Sequence, residues 1–213
     1  MQVIFNIIFS YLVGSISGSM VFGKLYGIDI RTMGSGNAGG TNAFRSVGPI
    51  FALGVVIIDI LKGVIAVLFI SKLKFYDAIP IESSEYLQII CGVAAVLGHV
   101  YPIYYKFKGG KGAGTLIGII GILFPASIGY ALLSWVLVLI FTGFVGLGTI
   151  IASIVLVIST HYIYPGGIQT PFGIFAFLMC VFIIFTHRSN IYRMIKGEEN
   201  QFTKAMLFKK YLK

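Results

Sequence analysis

The sequence predicts an all-α, polytopic integral membrane protein with a single membrane-embedded domain, residues 1–213. Of its 213 residues, 57% are hydrophobic and only 11% are charged, whereas soluble domains carry about 25% charged residues. Mean hydropathy is +0.95. The formal net charge of +9 is, in a membrane protein, typical of loops on the cytoplasmic side, so we expect no nucleic-acid partner.

The apolar segments predict the number of membrane spans. They cover residues 3–22, 50–70, 87–104 and a long stretch from 113 to 186. The first is expected to be a retained helix, because no Lys or Arg precedes it and no cleavage pattern follows it. Breaks near residues 124–126, 143–148 and 164–171 divide the long stretch into four pieces, although a helix needs about 20 residues to cross the bilayer.

The basic residues predict the orientation, because Lys and Arg concentrate in cytoplasmic loops. Thirteen of them follow the first, third and last spans, which places the N-terminus outside and the C-terminus in the cytoplasm. The loop after the second span mixes Lys72 and Lys74 with Asp77, Glu82 and Glu85, as an external loop does. The long stretch must then cross an even number of times. Four crossings give seven transmembrane helices, the predicted number, and two give five.

A polar, glycine-rich segment, Met33 to Gly48, lies between the first two apolar segments. Its glycines let successive backbone N–H groups converge on one oxyanion, and Ser35, Asn37 and Thr41 add small donors. Arg45 is able to grip a phosphate through two parallel hydrogen bonds. The segment therefore predicts an anion-binding loop at the membrane surface.

Two further polar clusters fall on the same side of the membrane in this orientation. One runs from Gly98-His99 through Lys106 to Thr115, and the other from Thr186 to Arg193, closed by residues 196–199. Alone, such clusters are explained by turns, charge anchors or a buried histidine. Together they predict a site for an anionic ligand. The Gly-Gly-Lys-Gly run is not a nucleotide P-loop, because Tyr105 stands where that motif needs glycine.

Other polar or reactive residues have plainer interpretations. Asp59 and Lys62 lie on one face of the second span, either as a helix-locking pair or as functional groups. Cys91 and Cys180 lie in apolar segments without metal-ligand spacing, so we expect packing roles and no metal site. The basic tail, residues 196–213, is interpreted as a short helix on the inner membrane surface or as a solvated tail.

The three clusters resemble, in order and position, the motifs of the bacterial membrane acyl-phosphate:glycerol-3-phosphate acyltransferases, the PlsY family. The resemblance spans nearly the whole chain, and its matching segments are Gly34-Ser35-Gly36-Asn37 with Thr41, Asn42 and Arg45; Gly98-His99 with Pro102 and Lys108-Gly109-Gly110-Lys111-Gly112; and His187-Arg188 with Asn190, Ile191, Arg193, Gly197 and Glu198. The chain departs from the family at Gly40 and Gly114, where members usually have alanine, and at 142–149, where members carry an arginine and serines.

The resemblance implies a seven-helix enzyme of the bacterial plasma membrane with its active site facing the cytoplasm. The implied reaction transfers a fatty acyl group from acyl phosphate to the sn-1 hydroxyl of glycerol 3-phosphate, giving lysophosphatidate and phosphate. It is the first acylation of phospholipid biosynthesis. No cofactor is implied, membrane lipid is the surrounding partner, and we expect a monomer.

Candidate site residues follow from the motifs. The predicted catalytic residues are Ser35, Arg45, Lys111 and His187, and the predicted substrate-binding residues are Gly36, Asn37, Thr41, Asn42, His99, Gly109, Gly110, Gly112, Arg188 and Asn190. The proton of the attacking hydroxyl is taken either by His187 or by a phosphate oxygen of the donor. No Ser/His/Asp triad is indicated, so we expect direct transfer without an acyl-enzyme.

Three other function classes are weighed against this one. Glycerolipid acyltransferases with a His-x4-Asp motif are disfavoured, because Tyr104, Gly166 and Tyr192 stand five positions after the three histidines; this argues against acyl-CoA as the donor. A small-anion transporter or channel fits the basic loops and the intramembrane pair, but the spans hold few polar residues. A purely structural protein leaves the polar glycine segment unexplained.

Overall fold

The computed structural model describes residues 1–74 and 85–207, which form two compact units, Met1–Leu123 and Phe124–Lys213. The first unit contains helices α1 Gln2–Gly14, α2 Gly18–Tyr26, α3 Gly40–Ser46, α4 Pro49–Leu68, α5 Glu85–Val100 and α6 Ala113–Leu123. The second contains α7 Ala126–Thr142, α8 Val145–Ile163, α9 Pro171–Thr186 and α10 Arg188–Ile195. Short 3-10 turns follow several of these helices, at Ile30–Thr32, Ile70–Lys72, Ile103–Tyr105, Gly167–Gln169 and Thr203–Ala205.

The protein is an all-helical, multi-pass integral membrane protein. Three helical stretches of the described chain are long and apolar enough to cross a membrane, namely Pro49–Lys72, Glu85–Tyr105 and Val145–Ile163. Two bent pairs, α1 with α2 and α9 with α10, raise the number of candidate spans to five. Helices α6 and α7 are apolar but shorter, at 11 and 17 residues. The count of seven spans and the orientation of the termini stay predictions.

The long apolar stretch forms four helices, as predicted, and its breaks lie close to the predicted ones. The central break is shorter than expected: α8 already begins at Val145, so only Gly143 and Phe144 separate it from α7. Gly143 adopts a left-handed conformation with φ of +71°, which glycine accepts without steric cost. A two-residue connection therefore suffices.

The first apolar segment, residues 3–22, forms two helices and not one. Helix α1 ends at Gly14, α2 begins at Gly18, and the two axes differ by 40°. The Ser15 hydroxyl donates to the carbonyl of Tyr11 at 2.8 Å, and the Ser17 and Ser19 hydroxyls pair at 3.2 Å. Serine side chains that bond to nearby backbone or to each other compete with the helix, and the serine-rich run breaks it.

The structure corrects two other local predictions. The polar segment 33–48 is not a loop throughout, because residues from Gly40 form α3. In the described part of the tail, residues 196–207, the only helical element is the 3-10 turn, so the expected surface helix is absent there. The remainder of the tail, and Asp77 and Glu82 of the predicted external loop, lie outside the described residues.

Glycines bring α4 and α6 together in the first unit. A Cβ on Gly63 would collide with the carbonyl oxygen of Thr115, and one on Gly118 would collide with that of Ile60. Small residues at such crossings let helix backbones approach closely inside a membrane. Helix α4 also packs against α5, and α1 packs along α5. This packing fixes the starts of α3 and α6, where the candidate site residues lie.

Candidate active site

The first glycine loop, residues 33–39, is built around the side chain of Asn42. The amide nitrogen Nδ2 lies within hydrogen-bond distance of the carbonyls of Ile30, Met33 and Asn37, at 3.2, 2.9 and 3.0 Å. The amide oxygen accepts from the backbone N–H of Ser35 at 3.0 Å. Asn42 is 4% exposed. Its polar atoms therefore satisfy the loop's own backbone.

The loop presents its remaining groups at the surface. Gly34 and Gly36, on either side of Ser35, adopt left-handed conformations with φ of +54° and +71°. Ser35, Gly36 and Thr41 are exposed, and Asn37 is half-buried. Arg45 is exposed in the last turn of α3. These are the groups that remain accessible to a ligand from this part of the chain.

Buried contacts hold the loop and α3 in place. The Ser19 hydroxyl at the start of α2 donates to the carbonyl of Ala38 at 2.8 Å. Ala43, on the inner side of α3, is fully buried against Phe51 and Val55 of α4. Burial of this apolar face fixes the direction in which α3 carries Arg45.

The second glycine loop, residues 106–112, turns back onto the end of α5. The N–H groups of Gly109 and Gly110 donate to the carbonyls of Val100 and His99 at 3.2 and 3.1 Å. A Cβ on Gly110 would collide with the imidazole of His99, so glycine is required at this position. Gly112 has a φ of +92°, and α6 begins at the next residue. Half-buried Lys111 thus lies directly before a helix, as predicted.

Asp59 is the centre of a buried polar cluster in the first unit. Its Oδ1 atom lies 3.0 Å from Lys62 Nζ and 3.5 Å from His99 Nδ1, and it accepts from the N–H of Gly18 at 3.3 Å. Lys62 also donates to the carbonyl of Ile16 at 2.9 Å. The Asp59, Lys62 and His99 side chains are at most 5% exposed. Asp59 and Lys62 thus form an ion pair within α4, and the break between α1 and α2 supplies a further partner to each of them.

A second, more exposed contact links the two segments that precede the glycine loops. Arg31 pairs with Asp29 at 2.7 Å and extends Nη1 to the carbonyl of Tyr105, at 3.4 Å. The hydrogen bonds from Arg31 hold the pKa of Asp29 below its ordinary value, and Asp29 in turn raises the pKa of Arg31. A carboxyl with a lowered pKa stabilises the fold above its ordinary pKa and loses this contribution as the pH falls. The pair is therefore charged throughout the neutral range.

The second unit holds the third cluster at the junction of α9 and α10. His187 is 4% exposed, and its Nδ1 atom lies 2.8 Å from the carbonyl oxygen of Ile183. Because a carbonyl only accepts, Nδ1 carries the proton, and Nε2 is the basic nitrogen of the neutral ring. Arg188, exposed, donates to the carbonyl of Phe185 and lies 4.4 Å from the centre of its ring.

Asn190 is held by a carboxylate that our sequence interpretation did not assign to the site. Its Nδ2 donates to Glu199 at 2.8 Å, and Arg193 donates to the other Glu199 oxygen at 2.6 Å. The Glu199 side chain is 2% exposed, whereas Glu198, the residue that matched the family pattern, is exposed. In the sequence, the match of Gly197-Glu198 to the family pattern indicated that a glutamate near this position matters. It did not indicate which of the two neighbouring glutamates is buried.

The first two clusters therefore lie in the same unit, Met1–Leu123, and the third cluster lies in the other unit, Phe124–Lys213. Within residues 1–74 and 85–207, no three His, Cys, Asp or Glu side chains lie close enough together to hold a metal ion. Cys91 and Cys180 are both buried and unbridged, as expected of packing residues.

The fold thus defines the class of protein: a helical membrane protein with several spans and with glycine loops held at its helix ends. The family model of the glycerol-3-phosphate acyltransferases matches residues 4–197. The chain belongs to this family, which confirms the resemblance carried by its motifs and sets aside the transporter and scaffold interpretations.

Individual relatives match over almost the whole chain. The glycerol-3-phosphate acyltransferase of Aquifex aeolicus is 35% identical over 95% of this chain and 100% of its own length. That of Endomicrobium trichonymphae is 40% identical over 97% of this chain and 98% of its own. Two crystal structures of PlsY, an integral membrane glycerol 3-phosphate acyltransferase, are also similar. Its glycerol 3-phosphate form has a TM-score of 0.79 at 33% identity, covering 95% of this chain and 96% of PlsY, and its lysophosphatidic acid form has a TM-score of 0.78 at 32%.

Proposed function

We propose that this protein transfers a fatty acyl group from acyl phosphate to the sn-1 hydroxyl of glycerol 3-phosphate and releases lysophosphatidate and phosphate. The observation that carries the proposal is the near full-length similarity to PlsY in forms with glycerol 3-phosphate and with lysophosphatidic acid. Substrate and product of the proposed reaction are the two ligands of those forms. The whole chain, residues 1–213, acts as one acyltransferase domain in this proposal.

The two glycine loops bind the phosphate groups in this proposal. The reaction brings together two phosphorylated substrates, so the site needs fixed positive charge and N–H donors. Arg45 and Lys111 supply the charge, while Ser35, Thr41 and the backbone of Gly36 and Asn37 supply donors. Such groups contribute by orienting the substrates and by stabilising charge in the transition state. Gly109, Gly110 and Gly112 allow the loop backbone to bring Lys111 close to a phosphate.

Two predicted substrate-binding residues take a different role in this proposal. The side chain of Asn42 is used by the loop backbone, and the His99 imidazole is buried beside Asp59 and Gly110. We assign both residues to shaping the loops rather than to direct substrate contact. Arg188 and Asn190 remain assigned to the substrate, with Glu199 holding Asn190 in place.

His187 is assigned as the general base. Its Nδ1 proton is committed to the carbonyl of Ile183, which orients the ring and makes Nε2 the atom that accepts a proton. The hydroxyl of glycerol 3-phosphate loses its proton as its oxygen forms a bond to the acyl carbon, and the carbon–oxygen bond to the donor phosphate breaks. Phosphate is a good leaving group, so no covalent acyl-enzyme is needed. Recovery of an acylated protein from a single-turnover mixture would contradict this direct transfer.

The assay that tests the proposed function uses the full chain in lipid mesophase, with palmitoyl phosphate and glycerol 3-phosphate. We expect phosphate and lysophosphatidate to appear in equal amounts. The same mixture with palmitoyl-CoA in place of palmitoyl phosphate is expected to give no product. Folded protein that forms no lysophosphatidate from palmitoyl phosphate would overturn the proposal.

We further propose seven spans, a monomeric protein and an active site at the cytoplasmic face. A membrane-impermeant thiol reagent tests the orientation in a background with Cys91 and Cys180 replaced by alanine. Lys108→Cys in the second glycine loop is expected to react only in inside-out vesicles. Tyr162→Cys, at the end of α8 and 79% exposed, is expected to react only in right-side-out vesicles. The reverse pattern would contradict the proposed orientation.

Replacing Asn42 with aspartate is expected to lower kcat/KM by about 10- to 100-fold, since misplacement of a site by about 1 Å has costs of this order. A carboxylate cannot donate to the carbonyls of Ile30, Met33 and Asn37, and it repels their oxygens. The first glycine loop must therefore rearrange. Initial rates and the thermal midpoint of unfolding measure the effect. The matched control is Asn200→Asp on an exposed residue, which is expected to retain activity; equal rates for the two variants would refute the role of Asn42.

A further inference from the structure

The buried cluster around Asp59 contacts one segment that holds each of the two glycine loops. Asp59 lies in the middle of α4, and its Oδ1 contacts the N–H of Gly18 and the imidazole of His99. The chain around Gly18 is the break between α1 and α2. His99 is the penultimate residue of α5. One carboxylate oxygen on α4 thus contacts two other elements that are distant in sequence.

On one side, this contact leads to the first glycine loop. Gly18 is followed by Ser19, whose hydroxyl donates to the carbonyl of Ala38 at 2.8 Å. Ser19 is fully buried and Ala38 is 1% exposed, so neither has room to move independently. The position of residues 37–39 therefore depends on the start of α2, which Asp59 holds.

On the other side, the contact leads to the second glycine loop. The carbonyl of His99 accepts the N–H of Gly110 at 3.1 Å, and the His99 ring fills the space where a Gly110 side chain would be. A Cβ on Gly114, in the first turn of α6, would lie 3.1 Å from the Cβ of Asp59. Lys111 thus lies between Gly110, which bonds to His99, and the first turn of α6, which packs on Asp59.

We propose that Asp59 is a positioning residue that fixes the two glycine loops relative to each other through Gly18 and His99. In doing so it also positions Arg45 and Lys111. This inference rests on the proposed function for its effect on catalysis. It goes beyond the role of a lock between helices, because a lock only has to tie α4 to its neighbours, whereas the contacts of Asp59 continue through Ser19 and His99 to the backbone of both loops. Asp59 and His99 are both buried, and neither touches substrate in this assignment.

The test separates a lock from a positioning residue. The double variant Asp59→Leu with Lys62→Met replaces the ion pair by apolar side chains of similar size, an exchange that is often neutral or stabilising. We expect it to stay folded, with a lower thermal midpoint than wild type because the N–H of Gly18 and the carbonyl of Ile16 lose their partners. We also expect it to lose about 10- to 100-fold in kcat/KM, as small displacements of a site do. Hydrogen exchange at the amides of Gly109 and Gly110 is expected to be at least about tenfold faster. A folded double variant with wild-type rates and wild-type exchange would overturn the proposal.

A second variant keeps the inference testable if the double variant fails to fold. His99→Gln leaves Asp59 and Lys62 paired, and we expect it to accelerate exchange at Gly109 and Gly110 with a similar loss of kcat/KM. Unchanged exchange in folded His99→Gln would contradict the proposal. The matched control is Asn6→Leu, which removes a buried polar contact from α1 to the carbonyl of Ser71; exchange and rates are expected to stay at wild-type values. Exchange is measured without substrate, so its outcome tests positioning even if the wild-type chain forms no lysophosphatidate.

Discussion

Replacing His187 with glutamine is expected to lower kcat by about 10³-fold, a typical contribution of a general base. The glutamine amide reaches the position of Nε2 and forms hydrogen bonds there, but it does not take up a proton at neutral pH. The loss of rate is therefore expected across the whole pH range, because no proton acceptor remains at this position. Steady-state rates with palmitoyl phosphate between pH 5 and 9 measure the loss and the pH profile.

The result distinguishes the two possible proton acceptors. If a phosphate oxygen of the donor takes the proton, the glutamine variant keeps most of its activity and the wild-type pH profile, which would contradict the assignment of His187. The matched control is His161→Gln, on an exposed histidine near the end of α8. It is expected to leave the rates and the profile unchanged.

Replacing Arg45 with alanine is expected to lower kcat/KM for glycerol 3-phosphate by a factor on the order of 10²–10³, the range found when one charge-stabilising donor is removed. The guanidinium of Arg45 is exposed at the end of α3 and carried in a fixed direction by buried Ala43. A planar fork binds two phosphate oxygens at once, and lysine does not reproduce this geometry. Arg45→Lys is accordingly expected to lie between wild type and Arg45→Ala.

Kinetics at varied glycerol 3-phosphate and saturating palmitoyl phosphate measure this effect. Lys24→Ala removes one exposed positive charge near the end of α2 and serves as the control for net charge. An Arg45→Ala variant within threefold of the control would remove Arg45 from the site. Loss in both variants would instead indicate a general effect of charge on substrate attraction.

The elements that the sequence predicts well are those governed by local composition. The four helices of the long apolar stretch follow from runs of Ile, Leu, Val and Phe bounded by Gly and Pro, and the structure places their ends close to those residues. The family was identified through short glycine, lysine and histidine motifs, whose order is local information as well. The broken first helix is different, because the carbonyl of Ile16 and the N–H of Gly18 at the break bond to Lys62 and Asp59, more than 40 residues further along the chain.

The sequence proposes candidate site residues, but it does not predict which of them the fold leaves exposed. Arg45 and Asn42 are neighbours on one short helix and look equally available in the sequence, yet one is exposed and the other is enclosed by the backbone that it bonds. Glu198 and Glu199 are chemically identical, and only folding buries the second. A polar side chain that bonds to the protein's own backbone is not available to a substrate. The three-dimensional arrangement decides which side chains do so, and the residue type alone does not reveal it.

The break between α1 and α2 also bears on how the chain enters the bilayer during synthesis. A charged side chain at the centre of a lone helix costs about 2.5–3.5 kcal/mol on insertion, and α4 carries two, Asp59 and Lys62. Their backbone partners at Ile16 and Gly18 precede them in the chain, so these partners are already made when α4 emerges from the ribosome. We therefore expect the first helical pair to provide a polar docking point for α4, so that membrane integration of this helix is coupled to its folding against the segment made before it.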